Sequence, residues 1–354
     1  MIQFAEPFAL QDRVALAEEI RGQQSTVAEQ VTVEFFERHP DWKLRYGQRG
    51  HLRGVEDACF HMDFLRGAVE SGSGESFGEY VRWAVRMLKA RHIGPEFLAE
   101  NLEQIADALG RALTTANKEV ALRILHDGAR LAQSTVEPEP AQQEMNLAQQ
   151  VYMQSALQGN RRAALGIALE LFNEGHPIQS IYTDILQRTL YEIGAQWETN
   201  RISVAEEHMA TAITQFVIAQ LYQRMQPAVQ DCGRVVITGV QGELHQVGAN
   251  MVADVLEEMG WDVRFLGTNM PHAGILRVVE EHRPQLLGIS ATMLFNVPQV
   301  RTLIQEVRTK FGSETPRIVV GGSAFRSAPH LFKEIGADGF ASDLQSLVGQ
   351  LKEA

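Results

Sequence analysis

Beyond residue 233 the chain alternates short apolar runs with amphipathic helical segments, and this alternation constrains the fold more than any other feature. Apolar, largely β-branched runs at 235–239, 262–266, 286–290, 317–320 and 339–341 read as strands, the first of them buried on both faces. Helical periodicity occupies 246–259, 273–282, 297–311, 329–335 and 342–352, with Val247, Met251, Val255 and Met259 forming the expected sheet-facing stripe of the first helix. A parallel sheet with right-handed crossovers accommodates this pattern. The flavodoxin-like strand order is expected, with ligands at the carboxyl ends of the strands.

No strand pattern precedes it. Residues 8–133 read as all helix: a segment that Pro40 stops, a helix over 50–69, a loop at 71–74, a helix over 77–89, and one long run from Leu98 to Leu125. Pro138 and Pro140 mark a polar linker. From Met145 to Met225, breaks at Gly159, Gly175 and Asn200 divide a second helical unit in the manner of a four-helix bundle. The expected fold is therefore a multi-domain α plus α/β chain. It comprises a helical sensor-like domain over 1–135, a linker over 136–144, a four-helix bundle over 145–228, and a flavodoxin-like, Rossmann-type α/β domain over 229–354.

A formal charge of −12 argues against a broad nucleic-acid surface, which needs a basic stripe. Cys59 and Cys232 form neither a disulfide nor a metal pattern, which fits a reducing cytoplasm. The first residues lack the basic flank and apolar run of a signal peptide, and no window reaches the length of a membrane helix. A cytoplasmic protein without membrane or nucleic-acid partners is expected.

Three loops at strand ends carry the chemistry. The first holds Gly242, Glu243, Leu244, His245, Gln246 and Gly248; the second Ser290, Thr292 and Leu294; the third Gly321 and Gly322. A histidine two residues after a carboxylate, flanked by glycines, is placed like a metal ligand beside close-packed backbone. Glycines free the backbone for a bulky ligand, and hydroxyls can hydrogen-bond a buried heterocycle. A dinucleotide site is disfavoured because the first turn lacks Gly-x-Gly-x-x-Gly.

Glu243-x-His245-x-x-Gly248, then Ser290-x-Thr292, then Gly321-Gly322 resembles the cobalamin-binding domain of methionine synthases, corrinoid proteins and mutases. The resemblance implies that His245 replaces the cofactor's benzimidazole as lower cobalt ligand, that Glu243 orients its ring, and that the displaced tail passes Ser290 and Gly321-Gly322. In the preceding bundle, Trp197, nine residues and then Glu207-His208 resembles the adenosylcobalamin-dependent light-sensing repressors of carotenoid genes. That resemblance implies a Trp197 shielding the adenosyl group, with Glu207 and His208 on the same upper face. One position departs: Glu198 stands where those repressors have a histidine.

The domain order looks like the photocobilins, which pair cobalamin with biliverdin. On that looser resemblance, a bilin would be held by residues among His61, Arg82, Trp83, Arg86, Arg91 and His92. The implied function is a non-enzymatic photoreceptor binding adenosylcobalamin, with light-dependent self-association or partner-protein contacts. The alternatives are a corrinoid carrier of a methyltransferase system and a light-independent cobalamin-responsive regulator.

Overall fold

The computed structural model describes residues 8–134, 144–226 and 228–352; most of the expected linker lies outside the described residues. The chain divides into two compact units, Met1–Glu137 and Pro138–Ala354.

The first unit is helical: α1 (Leu10–Arg38), α2 (Pro40–Ser71), α3 (Gly74–Ala90), α4 (Pro95–Ala112) and α5 (Lys118–Ser134). Its core joins Leu16, Ile20 and Val31 to Met62, Leu65, Phe77, Val81, Leu102, Ile105, Leu109 and Leu125. Two expectations are corrected. Pro40 opens α2 rather than merely closing α1, because its missing N–H belongs at a helix start; the backbone then breaks at Gly47, at φ 55° and ψ −146°. The run from Leu98 to Leu125 is two helices, because Leu113 turns extended after α4. The amide of Thr114 then donates to Glu19 on α1 at 2.7 Å.

The second unit begins with helices α6 (Leu147–Leu157) and α7 (Arg161–Asn173). A continuous rod follows: α8 (Ile178–Ser180), a π-helical stretch Ile181–Gln187, and α9 (Arg188–Glu198); then comes α10 (Val204–Tyr222). Side chains set the starts of these helices. Asn146 and Ser203 each form a reciprocal capping box, with Gln149 and Glu206 respectively.

The α/β region supplies β1 (Gly233–Gly239), α11 (Val247–Glu258), β2 (Trp261–Phe265), α12 (His272–His282), β3 (Leu286–Ser290) and α13 (Val297–Phe311). It ends with β4 (Arg317–Gly321), the short α14 (Ser323–Ser327) and α15 (Leu331–Glu334), β5 (Gly339–Ala341) and α16 (Leu344–Lys352). All strands are parallel, in the order β2-β1-β3-β4-β5, the expected flavodoxin-like order.

One sheet face packs Val236, Leu287, Ile289, Ile318 and Val320 against α12 and α13. The other packs Val235, Ile237 and Val319 against Ala249, Ala253 and Leu256 of α11. The stripe expected to face the sheet turns the other way. Met251 and Val255 join the core of α6–α10. A helix buried on two sides presents its small residues where it lies close to a sheet and its large ones to the helical neighbour, a choice periodicity cannot reveal.

Candidate functional site

β1 ends at Gly239, and the chain turns through Gly242, whose φ of 90° favours glycine and whose amide donates to Asn269 at 2.9 Å. Glu243 follows, its side chain fully buried beneath the loop. Its Oε1 accepts from the His245 amide at 2.9 Å and from His245 Nδ1 at 2.7 Å. Its Oε2 accepts from the Thr292 amide at 2.7 Å and from Asn296 Nδ2 at 3.1 Å. A buried carboxylate needs such donors to offset its desolvation.

Donation from Nδ1 assigns the neutral imidazole's lone pair to Nε2, on a side chain that is 57% exposed. Burial alone would push Glu243 upward, but the hydrogen bonds from His245 and Thr292 outweigh it and hold the carboxyl below its ordinary range. The same bond to Glu243 raises His245, and the charge of Glu207 adds to it.

That last influence puts the first turn of α10 within electrostatic reach of the loop. The Ser203–Glu206 capping box starts α10, which commits Glu206 to the helix end and leaves Glu207 in the first turn. Glu207 pairs with His208 Nδ1 and accepts from Thr211 Oγ1 at 3.0 Å. Trp197 and Glu198 are half-buried at the end of α9. On the same side, Arg326 of α14 reaches Tyr191 of α9 at 3.5 Å. Helix α9 therefore reaches the carboxyl edge of the sheet, and the start of α10 lies within electrostatic reach of its first loop.

At that edge Gly239, Ser290, Gly321 and Ala341 form one row of strand partners. The glycines have reasons other than ligand access. A Cβ at Gly322 would lie 2.2 Å from the Ala291 carbonyl oxygen, at φ 103°, and one at Gly321 would lie 3.2 Å from the Ala341 oxygen. Gly248, on the first turn of α11, does open onto free space. The Thr292 backbone amide donates to Glu243, and Leu294 is buried in the sheet core. Leu244 is 73% exposed, and Gln246 is exposed as the residue preceding α11. Asn296, which locks the second oxygen of Glu243, was not anticipated. It lies 53 residues from its partner, and no local pattern connects them.

In the first unit, His61 is buried and its Nδ1 meets the Tyr80 hydroxyl at 2.5 Å. Trp83 lies near the same tyrosine, with ring centroids 5.9 Å apart. Arg82 pairs with Glu75, and Arg91 donates to the Met87 carbonyl at 2.9 Å. Arg86 is half-buried one turn after Arg82, and His92 is exposed beyond the end of α3.

Residues 233–345 match the B12 binding domain family, and residues 150–222 match a second B12 binding domain family. Dimethylamine corrinoid protein 1 of Methanosarcina acetivorans is 25% identical over 164 residues, covering 46% of this chain and 76% of that protein. Methionine synthase of Mycobacterium tuberculosis is 24% identical over 157 residues, 44% of this chain but 13% of that enzyme. The solved monomethylamine corrinoid protein of Methanosarcina barkeri shares the fold, with a TM-score of 0.51, 19% identity, and coverage of 57% of this chain and 96% of that one. With both B12 binding domain matches falling on the second unit, the chain is a cobalamin-binding protein.

Proposed function

We propose that this protein holds cobalamin with its benzimidazole displaced and His245 Nε2 as lower cobalt ligand, and that it serves as a corrinoid carrier presenting the cofactor to a methyl-transferring partner. The Glu243–His245 pair carries this reading. Its carboxylate is buried and fully engaged, while the imidazole it orients keeps an unshared, exposed nitrogen.

The surroundings fit a corrin. Leu244, the residue before His245, offers an exposed apolar side chain, and Gly248 leaves room on the first turn of α11. The nucleotide tail would pass Ser290 and Gly321-Gly322 at the sheet edge. When bound, the cofactor supplies a cobalt–carbon bond that can be formed and broken. The chain's own residues orient and hold: Glu243 fixes the imidazole tautomer and raises its basicity, while α9 and α10 cover the opposite side. The likeness to dimethylamine corrinoid proteins supports the carrier role, with chemistry performed by the partner rather than by this chain.

The spectroscopic test uses the cob(II)alamin-loaded chain labelled with 15N-histidine. Electron paramagnetic resonance should show the splitting of a histidine nitrogen, absent in His245→Ala; persistent benzimidazole splitting would overturn the assignment.

A second reading has its own observation, namely Glu207 within electrostatic reach of His245, with Trp197 at the end of the neighbouring helix. In it the cofactor is adenosylcobalamin. Trp197 shields the adenosyl group, Glu207 accepts from its ribose hydroxyls with His208 beside it, and light alters self-association or partner contacts. Biliverdin would then occupy the first unit near His61, Arg82, Trp83, Arg86, Arg91 and His92. Tighter binding of adenosyl- than methylcobalamin, with a green-light change in spectrum and elution volume, supports this reading. Unchanged spectra after illumination return the carrier as the function.

A further inference from the structure

α11 packs on both layers of the second unit. Ala249, Ala253 and Leu256 meet the sheet, while Met251 and Val255 join Leu344 and Val348 of α16 in the core of α6–α10. Within that apolar seam stands Asp254, 8% exposed. Tyr182, fully buried on the π-helical stretch, donates its hydroxyl to Asp254 Oδ2 at 2.7 Å, and Asn250 Nδ2 donates to the same oxygen at 3.1 Å. Among the described residues, Asp254 has no cationic partner. One turn farther along, the Tyr222 hydroxyl of α10 donates to Glu257 at 2.9 Å. The seam is not closed, for a cleft of about 270 Å³ between α10, α11 and β2 reaches Asp254.

We propose that the Tyr182–Asp254 pair is a proton-responsive latch that holds helices α6–α10 closed against α11. Two features support it. π-helical stretches recur at functional positions because they reaim a side chain, and here the stretch carries Tyr182 to the acid. The acid itself sits on the helix that begins two residues after His245, so strain on the latch is delivered to that loop. The closing of the seam is independent of what binds there; only its consequence for the loop rests on the cofactor reading above.

The latch has a directional signature. The groups facing Asp254 are Tyr182 on the π-helical stretch, Tyr222 on α10, and Glu257 on its own helix, with Glu258 reaching Tyr182; α16 brings apolar Leu344 and Val348. Burial, with Glu257 adding to it, raises Asp254 to about 6 against the pull of its hydrogen bonds. An opened seam hydrates the carboxyl and returns it to its ordinary value, so the closed state binds the proton more tightly and opening releases it. Closure is therefore strongest in acid. It loosens as pH rises from the ordinary aspartate value to about 6, and changes no further above that.

Hydrogen exchange of the full chain without cofactor, corrected for intrinsic rates, reads this directly. Peptides spanning 178–198 and 204–222 should open at least tenfold more at pH 6.5 than at pH 4.5, following the one-proton linkage. Asp254→Asn, an uncharged isostere that still accepts from Tyr182, should be slow and equal at both values. Tyr182→Phe should be faster than wild type at both values yet keep the pH response, because the hydrogen bond it removes pulls Asp254 toward the ionised form. A Tyr182→Phe chain no faster than wild type overturns the latch, and Tyr222→Phe should match wild type. A wild-type chain without the response, or an Asp254→Asn chain that keeps it, overturns the latch. Exchange is read without cofactor, so a chain that fails to bind cobalamin through His245 can still show the pH response, which separates this failure from failure of the cofactor reading.

Discussion

Glu243 anchors the candidate site. It is buried, accepts bonds from His245, Thr292 and Asn296, and so ties the first strand-end loop to the second. Removing it strands several buried donors. Glu243→Ala should cost about 2–4 kcal/mol of unfolding free energy in urea, and Glu243→Gln less, because an amide still accepts. Both should weaken cobalamin binding about 10- to 100-fold by freeing the imidazole. Since its folded value is depressed, Glu243 contributes stability at neutral pH that is lost as pH falls below the ordinary carboxylate range. The Gln variant should flatten that acid limb.

At the scale of elements, α10 shows how a cap positions a site. Ser203 Oγ accepts from the Glu206 amide at 3.2 Å, and Glu206 reaches back to the Ser203 amide at 2.7 Å. This fixes the turn on which Glu207 and His208 stand. Ser203→Ala should cost about 1 kcal/mol and fray that turn. The check is faster hydrogen exchange at 204–208, with 215–222 unaffected. The Ser203-x-x-Glu206 capping box is a local feature. The influence of Glu207 on His245 is not, because the two lie about forty residues apart in sequence.

At the scale of the molecule, two compact units share one chain and carry different pH sensitivities. In the first, burial holds His61 down to about 4 beside Tyr80. A histidine with a lowered folded value is protonated more readily when unfolded. The first unit should therefore lose up to about 3 kcal/mol as pH falls from 6.5 toward 4. Calorimetry across that range should show its transition moving down, and His61→Asn should remove most of the slope. No helix among the described residues is long and apolar enough to cross a membrane.

The strand positions and the parallel order of the sheet were legible in the residues, because short apolar runs separated by amphipathic helices leave few ways to bury both faces. The pairing of Glu243 with His245 was also legible, being local, with one residue between carboxylate and ring. Only the tertiary structure decided that Met251 and Val255 face the helical layer, that Asn296 and Thr292 lock Glu243, and that Gly321 and Gly322 are small because neighbouring carbonyls crowd them. Each of these depends on which surface arrives from a distant part of the chain. Local periodicity records that a side chain is buried. It does not record against what.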